Sequence, residues 1–302
     1  MISLTLNDGV SIPLLAYGTG TAILKSKTTL SGDVDSQVVN TIKLAIRAGY
    51  RHLDTAEMYQ TEPELGVAIK ESIVEGIVKR EDLFVATKIS SEFAQASTKI
   101  DVSLQKLGLD YVDLYLIHTP YLKGSDGDLQ GAWAAMEAVK ASGKARSIGV
   151  SNYEESHLVE TLATAKVPPS INQIEFHPYL QHGDLLPFSR VNGGGIATSA
   201  YGALSPVTRN IAGPLDETLA RLAAKYDVST GMVCLRWCID QGIVIITTSQ
   251  KPARMVEYLG VFDFKLSLKE VQEIATAGVQ SLKGEELIPR VVQYHKMIEE
   301  SR

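Results

Sequence analysis

Short, nearly all-apolar runs alternate with longer amphipathic runs along this chain. The apolar runs predict eight strands: Leu14–Gly18, His52–Asp54, Leu83–Lys88, Val112–His118, Ala145–Ser151, Ser170–Glu175, Ile196–Ala200 and Gly242–Thr247. VDLYLI and IVII carry almost no polar residue, as expected of parallel strands covered on both faces. Helical periodicity predicts helices over Gln37–Ala48, Lys99–Leu107, Leu129–Ser142, Glu154–Ala165, Leu215–Tyr226 and Thr230–Gln241. Predicted strand ends at 54, 88, 118 and 151 are spaced like successive βα units. No linker interrupts the eight units. They predict a single α/β domain over 1–302, a closed (β/α)8 TIM barrel, with an open doubly wound sheet as the alternative.

Two additions flank the units. Asp8-Gly9 between short alternating runs predicts an N-terminal β-hairpin that plugs one end of the barrel. At the other end, Ser267 followed three residues later by Glu270 predicts a capped extra helix. The amphipathic tail to Arg302 is expected to pack near the barrel mouth.

Composition narrows the class. The 302 residues are 45% hydrophobic and 21% charged, which suits a large core and excludes a disordered chain. The net charge of −6, with no basic block, argues against nucleic acid and anionic membranes as partners. No apolar run reaches the ~20 residues of a membrane helix. MISLTLNDGVSIP shows no signal-peptide pattern. Cys234 and Cys238, the only cysteines, lie four apart on a predicted helix. As a metal or redox pair they lack further ligands, so they read as small core residues. A reducing, cytoplasmic location is expected. No feature specifies an oligomer, and a monomer is the reading the sequence allows.

In such a barrel, chemistry sits at the C-terminal ends of the strands. Asp54 and Thr55, with Tyr59 five residues on, follow RHL. Lys88 follows FVAT, His118 follows DLYLI, Ser151 and Asn152 follow IGV. A lysine ending a buried strand must be paired or shifted, and Asp54 on the next strand is the partner. A lysine beside Tyr59 is expected to lower the phenol pKa and let it act as a general acid. His118 is expected to orient a carbonyl oxygen. Taken singly, each residue also reads as an ion pair, a core histidine or a packed aromatic; four at consecutive strand ends argue for a site.

At these residues the sequence resembles the aldo-keto reductases. GYRHLDTAEMY (49–59), VATK (85–88), DLYLIH (113–118), SIGVSN (147–152), NQIEFHPYLQ (172–181) and ITTSQKPARMVEYL (246–259) carry the resemblance. It implies a (β/α)8 barrel, an extended NADPH/NADP+ without a Rossmann fold, and aldehyde or ketone reduction by an Asp–Tyr–Lys–His tetrad: Asp54, Tyr59, Lys88 and His118. It implies that Thr19, Gly20 and Asp54 border the cofactor. Ser151, Asn152 and Gln173 would hold the nicotinamide carboxamide, and Tyr201 would stack on its ring. Gly202, Leu204 and Ser205 would close over the pyrophosphate. Thr248, Ser249, Lys251, Arg254 and Glu257 would meet the adenosine end, with Ser249 and Arg254 on the 2′-phosphate.

The chain departs from the family at three points. The usual I-P-K-S is Ile246-Thr247-Thr248-Ser249, so the lysine is missing at Thr248 and Lys251 is expected to replace it. The aromatic residue common after G-T is Gly20. Y-S-P-L becomes Tyr201-Gly202-Ala203-Leu204. The T-T-S and G-T-G-T variants look most like fungal members that reduce conjugated polyketones and keto lactones. Loops 119–128 and 202–213 and the C-terminal tail are expected to shape the pocket for a small carbonyl substrate. A non-catalytic NADP(H)-binding barrel with a sensory or interaction role is the alternative. Asn192-Gly193-Gly194-Gly195 precedes a strand and reads as a turn. Trp133 and Trp237 read as packing residues, while His52 and His177 flank the site without a matched role.

Overall fold

The computed structural model describes residues 2–21, 23, 34–121, 128–209, 211–284 and 287–293. Its centre is a closed parallel barrel of β3 (Leu15–Gly18), β4 (His52–Asp54), β5 (Phe84–Ile89), β6 (Val112–Ile117), β7 (Ala145–Ser151), β8 (Ile171–Glu175), β9 (Ala197–Tyr201) and β10 (Val244–Thr247). Each strand pairs with its sequence neighbour, and β10 pairs with β3 to close the ring. The eight sequence-derived strands match these to within two residues. Closure satisfies both edges of every strand, so no edge is exposed along the barrel.

The helices form the outer layer: α1 (Ser36–Ala48), α2 (Glu62–Val74), α3 (Ala96–Leu107), α4 (Leu129–Ala141), α5 (Glu155–Leu162), α6 (Leu185–Val191), α7 (Ser205–Thr208), α8 (Pro214–Tyr226), α9 (Thr230–Ile239), α10 (Pro252–Leu259) and α11 (Leu268–Ser281). The Asp35 carboxylate caps α1 by accepting from the N–H groups of Gln37 and Val38. The expected Ser267–Glu270 capping box opens α11. Trp133 and Trp237 are core residues of α4 and α9, and Cys234 and Cys238 are buried free thiols on α9.

Four helices went unread, for physical reasons. In α2 the first turn buries two glutamates, which breaks the apolar stripe. Glu62 accepts from Thr87 Oγ1 at 2.8 Å, and Glu64 accepts from the Asp35 N–H at 2.9 Å. The same helix carries Gly66 because a Cβ there would lie 2.5 Å from the Leu107 carbonyl oxygen of α3. The other three, α6, α7 and α10, are short, and each holds a proline. Conversely, α5 stops at Leu162, three residues before the expected end.

The hairpin of β1 (Ser3–Thr5) and β2 (Ser11–Pro13) caps the N-terminal ends of the strands, as expected. Leu6 and Ile12 are buried there. Asn7 donates to the carbonyls of Pro169 and Gly194, and Asp8 takes Lys140 and Ser147 as partners. Asn192–Gly195 is the expected turn into β9, with Gly194 and Gly195 at positive φ. With this end plugged, the opposite end is left to carry a site.

Candidate active site

The C-terminal strand ends surround a cleft of about 530 Å³. Its walls come from the ends of β3, β4, β8, β9 and β10 and from the starts of α9 and α10. Asp54 ends a barrel strand and Tyr59 follows it, whereas Arg254, Glu257 and Tyr258 come from α10 in the outer layer.

Around Asp54 sits a buried polar cluster. Register brings Asp54 opposite Gly18 on β3 and Ala86 on β5, so Lys88, two residues on, reaches back over it. Lys88 Nζ lies 2.6 Å from Asp54 Oδ1 and donates to the Thr55 carbonyl at 2.8 Å. Burial draws Lys88 below the usual lysine range, while the Asp54 charge opposes it. Gln173 Nε2 donates to the other Asp54 oxygen at 3.0 Å. Two of three ammonium hydrogens are thus taken. Lys88 Nζ stands 5.0 Å from the centroid of the Tyr59 ring.

Tyr59 meets His118 edge-on, with the hydroxyl 3.4 Å from Nε2. Ser90 Oγ lies 3.2 Å from the other ring nitrogen, so two contacts fix the imidazole. Burial, with a smaller contribution from the Lys88 charge, holds His118 well below the usual histidine range, so the ring is neutral. The expected lowering of the Tyr59 pKa is not what the geometry produces. Burial first, and the Asp54 carboxylate second, push the phenol above its ordinary value. Lys88 faces the ring rather than bonding the oxygen, and Asp54 absorbs its charge.

Thr19 is turned away from the cleft. Its hydroxyl forms a ring of three with Thr55 and Thr61, at 2.8–3.1 Å. That ring ties both ends of the loop carrying Tyr59 to the end of β3. Gly20 does border the cleft, pressed on Tyr59: a Cβ there would lie 2.5 Å from Tyr59 Cζ. An aromatic at this position requires another placement of the loop or the ring, which is the physical content of that departure from the family.

Asn152 sits at φ +64° after β7 and links three pieces. Its amide donates to the His118 carbonyl and to Ser151 Oγ, and its oxygen accepts from the Tyr201 hydroxyl at 2.8 Å. Ser151 Oγ donates to the Gln173 carbonyl. Gly202, Leu204, Ser205, Thr248, Arg254 and Glu257 line the cleft, as Gln173 and Tyr201 do. Ser151, Asn152, Ser249 and Lys251 do not line it. The Ser249 hydroxyl accepts from the Lys251 N–H at 3.0 Å, and Lys251 is exposed at the start of α10. Its expected replacement of the missing lysine therefore has no support in the cleft lining. His52 lies at the start of β4, bonded to the Pro13 carbonyl, so it belongs to the plugged end rather than flanking the site.

Sequence reasoning missed several lining residues: Thr247, Ser229, Thr230, Gly231, Tyr258 and Arg290. Ser229 caps α9 and was legible as a cap; Arg290 had no signal in its amphipathic surroundings. Of the expected substrate loops, residues 122–127, 210, 285–286 and 294–302 lie outside the described residues.

A family model described as "Aldo/keto reductase family" matches residues 16–278. The chain is 39% identical to an NAD/NADP-dependent indole-3-acetaldehyde reductase of Schizosaccharomyces pombe, over 91% of this chain and 95% of that one. It is 37% identical to an NADPH-dependent alpha-keto amide reductase of Saccharomyces cerevisiae, over 91% and 90%. The crystal structure of a Bombyx mori aldo-keto reductase in complex with NADP superimposes with a TM-score of 0.82 at 34% identity, covering 96% of this chain and 99% of that one. By sequence and by barrel geometry alike, the chain belongs to the aldo/keto reductase family of oxidoreductases acting on carbonyl groups.

Proposed function

We propose that the protein reduces aldehydes or ketones, diketones and keto lactones among them, to alcohols with NADPH. Tyr59 is the proton donor in this reading. The observation that carries it is the buried cluster bordering the cleft, where Asp54, Lys88, Tyr59 and His118 are joined by contacts of 2.6, 3.4 and 5.0 Å.

The cleft suits a dinucleotide. Amide groups (Gln173, and Asn152 held against Tyr201) and an aromatic ring (Tyr201) gather at the strand ends, with a guanidinium (Arg254) on α10. Thr247 Oγ1 on its wall is buried without a hydrogen-bond partner among the described residues, a polar atom left for a ligand. When bound, the reduced nicotinamide supplies a hydride to the carbonyl carbon.

The chain supplies the rest. His118, neutral and doubly anchored, donates to the carbonyl oxygen and aims it. Tyr59 stays protonated across the physiological range because burial raises its pKa, so the proton is in place when negative charge develops on that oxygen. As the proton leaves, the Lys88 charge, 5.0 Å from the centre of the Tyr59 ring, stabilises the phenolate. Asp54 and the Thr55 carbonyl keep the ammonium from drifting. The threonine ring holds the Tyr59 loop at both ends. The likeness of the T-T-S and G-T-G-T stretches to fungal polyketone and keto-lactone reductases supports the bulkier carbonyls as substrates.

The test is a panel of an aromatic aldehyde, a conjugated diketone and a keto lactone, each with NADPH and with NADH. We expect oxidation of NADPH with matching alcohol formation. No turnover of any carbonyl by protein that binds NADPH would leave only a binding role.

A further inference from the structure

Glu175, at the end of β8, is buried, and its carboxylate is shared by residues from three segments. Arg290, from the C-terminal segment, lies 3.0 Å away through Nε and donates its backbone N–H at 2.7 Å. Arg209, after α7, reaches the same carboxylate at 3.2 Å, and His177 at 3.4 Å. Burial, with the neighbouring guanidiniums, lowers the His177 pKa, so the imidazole adds no charge. Two guanidiniums therefore face one carboxylate, and one positive charge is left over.

The surplus lies beside the cleft. Arg290 lines it, half-exposed, and Nη2 donates to Ser205 Oγ at 3.1 Å. Its other three N–H groups have no partner among the described residues. Among the residues lining the cleft, Arg254 and Arg290 are the only lysines or arginines. Arg254 stands on α10. Arg290 stands by Ser205, in the stretch that runs on from Tyr201 and Gly202.

We propose that Arg290 is a second anion-binding residue of the cleft, contacting the pyrophosphate of the dinucleotide. The inference rests on the NADPH reading above. NADPH carries two anionic groups, the 2′-phosphate at one end and the pyrophosphate between its two nucleosides, and the cleft offers two guanidiniums on separate elements, Arg254 on α10 and Arg290 beside Ser205. Glu175 holds the Arg290 guanidinium from behind, so little side-chain freedom remains to be lost on binding. The C-terminal segment thereby becomes part of the cofactor site.

Isothermal titration calorimetry with NADP+ and with 2′-AMP, which has the 2′-phosphate but no pyrophosphate, tests this. Wild type, Arg290→Ala, Arg290→Lys and Arg254→Ala are compared. Arg290→Ala is expected to weaken NADP+ binding by roughly 10-fold or more, the size of one charge-assisted hydrogen bond, and to leave 2′-AMP unchanged. Arg290→Lys should recover part of the loss by restoring the charge. Arg254→Ala should weaken both probes. Unchanged NADP+ binding in Arg290→Ala overturns the assignment. So does an equal loss for both probes, which marks a structural residue. A wild type that binds 2′-AMP and NADP+ with the same affinity also overturns it, because the pyrophosphate then adds nothing. A wild type that binds neither removes the dinucleotide reading itself.

Discussion

Each end of the barrel buries an aspartate against a cation, and the two pairs do different things. At the plugged end, Asp113 on β6 takes Arg80 at 2.8 Å, Arg146 at 3.3 Å and the Val85 N–H at 2.9 Å. Both guanidiniums lie over the Tyr111 ring, 4.1 and 4.4 Å from its centroid. At the open end, Asp54 has one lysine, one glutamine and a cleft beyond. Arginine, planar and permanently charged, is held here by a carboxylate and an aromatic face together. Lysine is a point charge with a hydrogen to spare, next to a phenol. A buried carboxylate–cation pair is thus not evidence of chemistry by itself. What separates the two is the cleft and the Tyr59–His118 contact at its wall.

That contrast predicts that substitutions at the open end cost activity or affinity, and those at the plugged end cost stability. Tyr59→Phe should have the largest effect, lowering kcat by at least ~100-fold, the usual cost of a lost general acid. The NADPH dissociation constant and the unfolding midpoint should stay in place; retained turnover would put the proton donor elsewhere.

Arg254→Ala comes next. Loss of a charge-assisted contact to the 2′-phosphate should weaken NADPH by roughly 10- to 150-fold. NADH, which lacks that phosphate, should be indifferent, as titration with both cofactors will read.

At the plugged end, burial lowers the His52 pKa to about 4, against the pull of Asp54. The folded pKa lies below the unfolded value of about 6.5, so the unfolded chain takes up the proton first. Stability should be fully present above pH ~6.5 and fall as pH drops toward ~4, by up to about 3 kcal/mol from this residue. Denaturant titrations of wild type and His52→Gln across that range should show a shallower fall in the variant. Parallel curves would assign the acid sensitivity to other groups.

Asp113→Asn should cost the least, about 1–3 kcal/mol of unfolding free energy for weakened hydrogen bonds to buried partners. kcat should not change. A variant that keeps its stability but loses turnover would abolish the distinction between the two ends.

The sequence by itself determined the barrel, because a parallel strand buried on both faces must be apolar along its length, and eight such runs at βα spacing have few other solutions. It also determined the polar residues at three strand ends, which is why Asp54, Lys88 and His118, with Tyr59 five residues past Asp54, could be named from the sequence. It could not show what each residue meets across the barrel. The raised rather than lowered Tyr59 pKa depends on burial of the phenol and, second, on the Asp54 carboxylate beside it. The turn of Thr19 away from the cleft depends on Thr55 and Thr61. The exclusion of Lys251 from the cleft depends on how α10 begins. In α2, glutamates buried against Thr87 and the Asp35 N–H hid a helix from any periodicity. Arg290 is the extreme case: 115 residues separate it from Glu175, and no local pattern marks an arginine held in a cleft by a carboxylate on another strand. Contacts of that range exist only once the chain has closed.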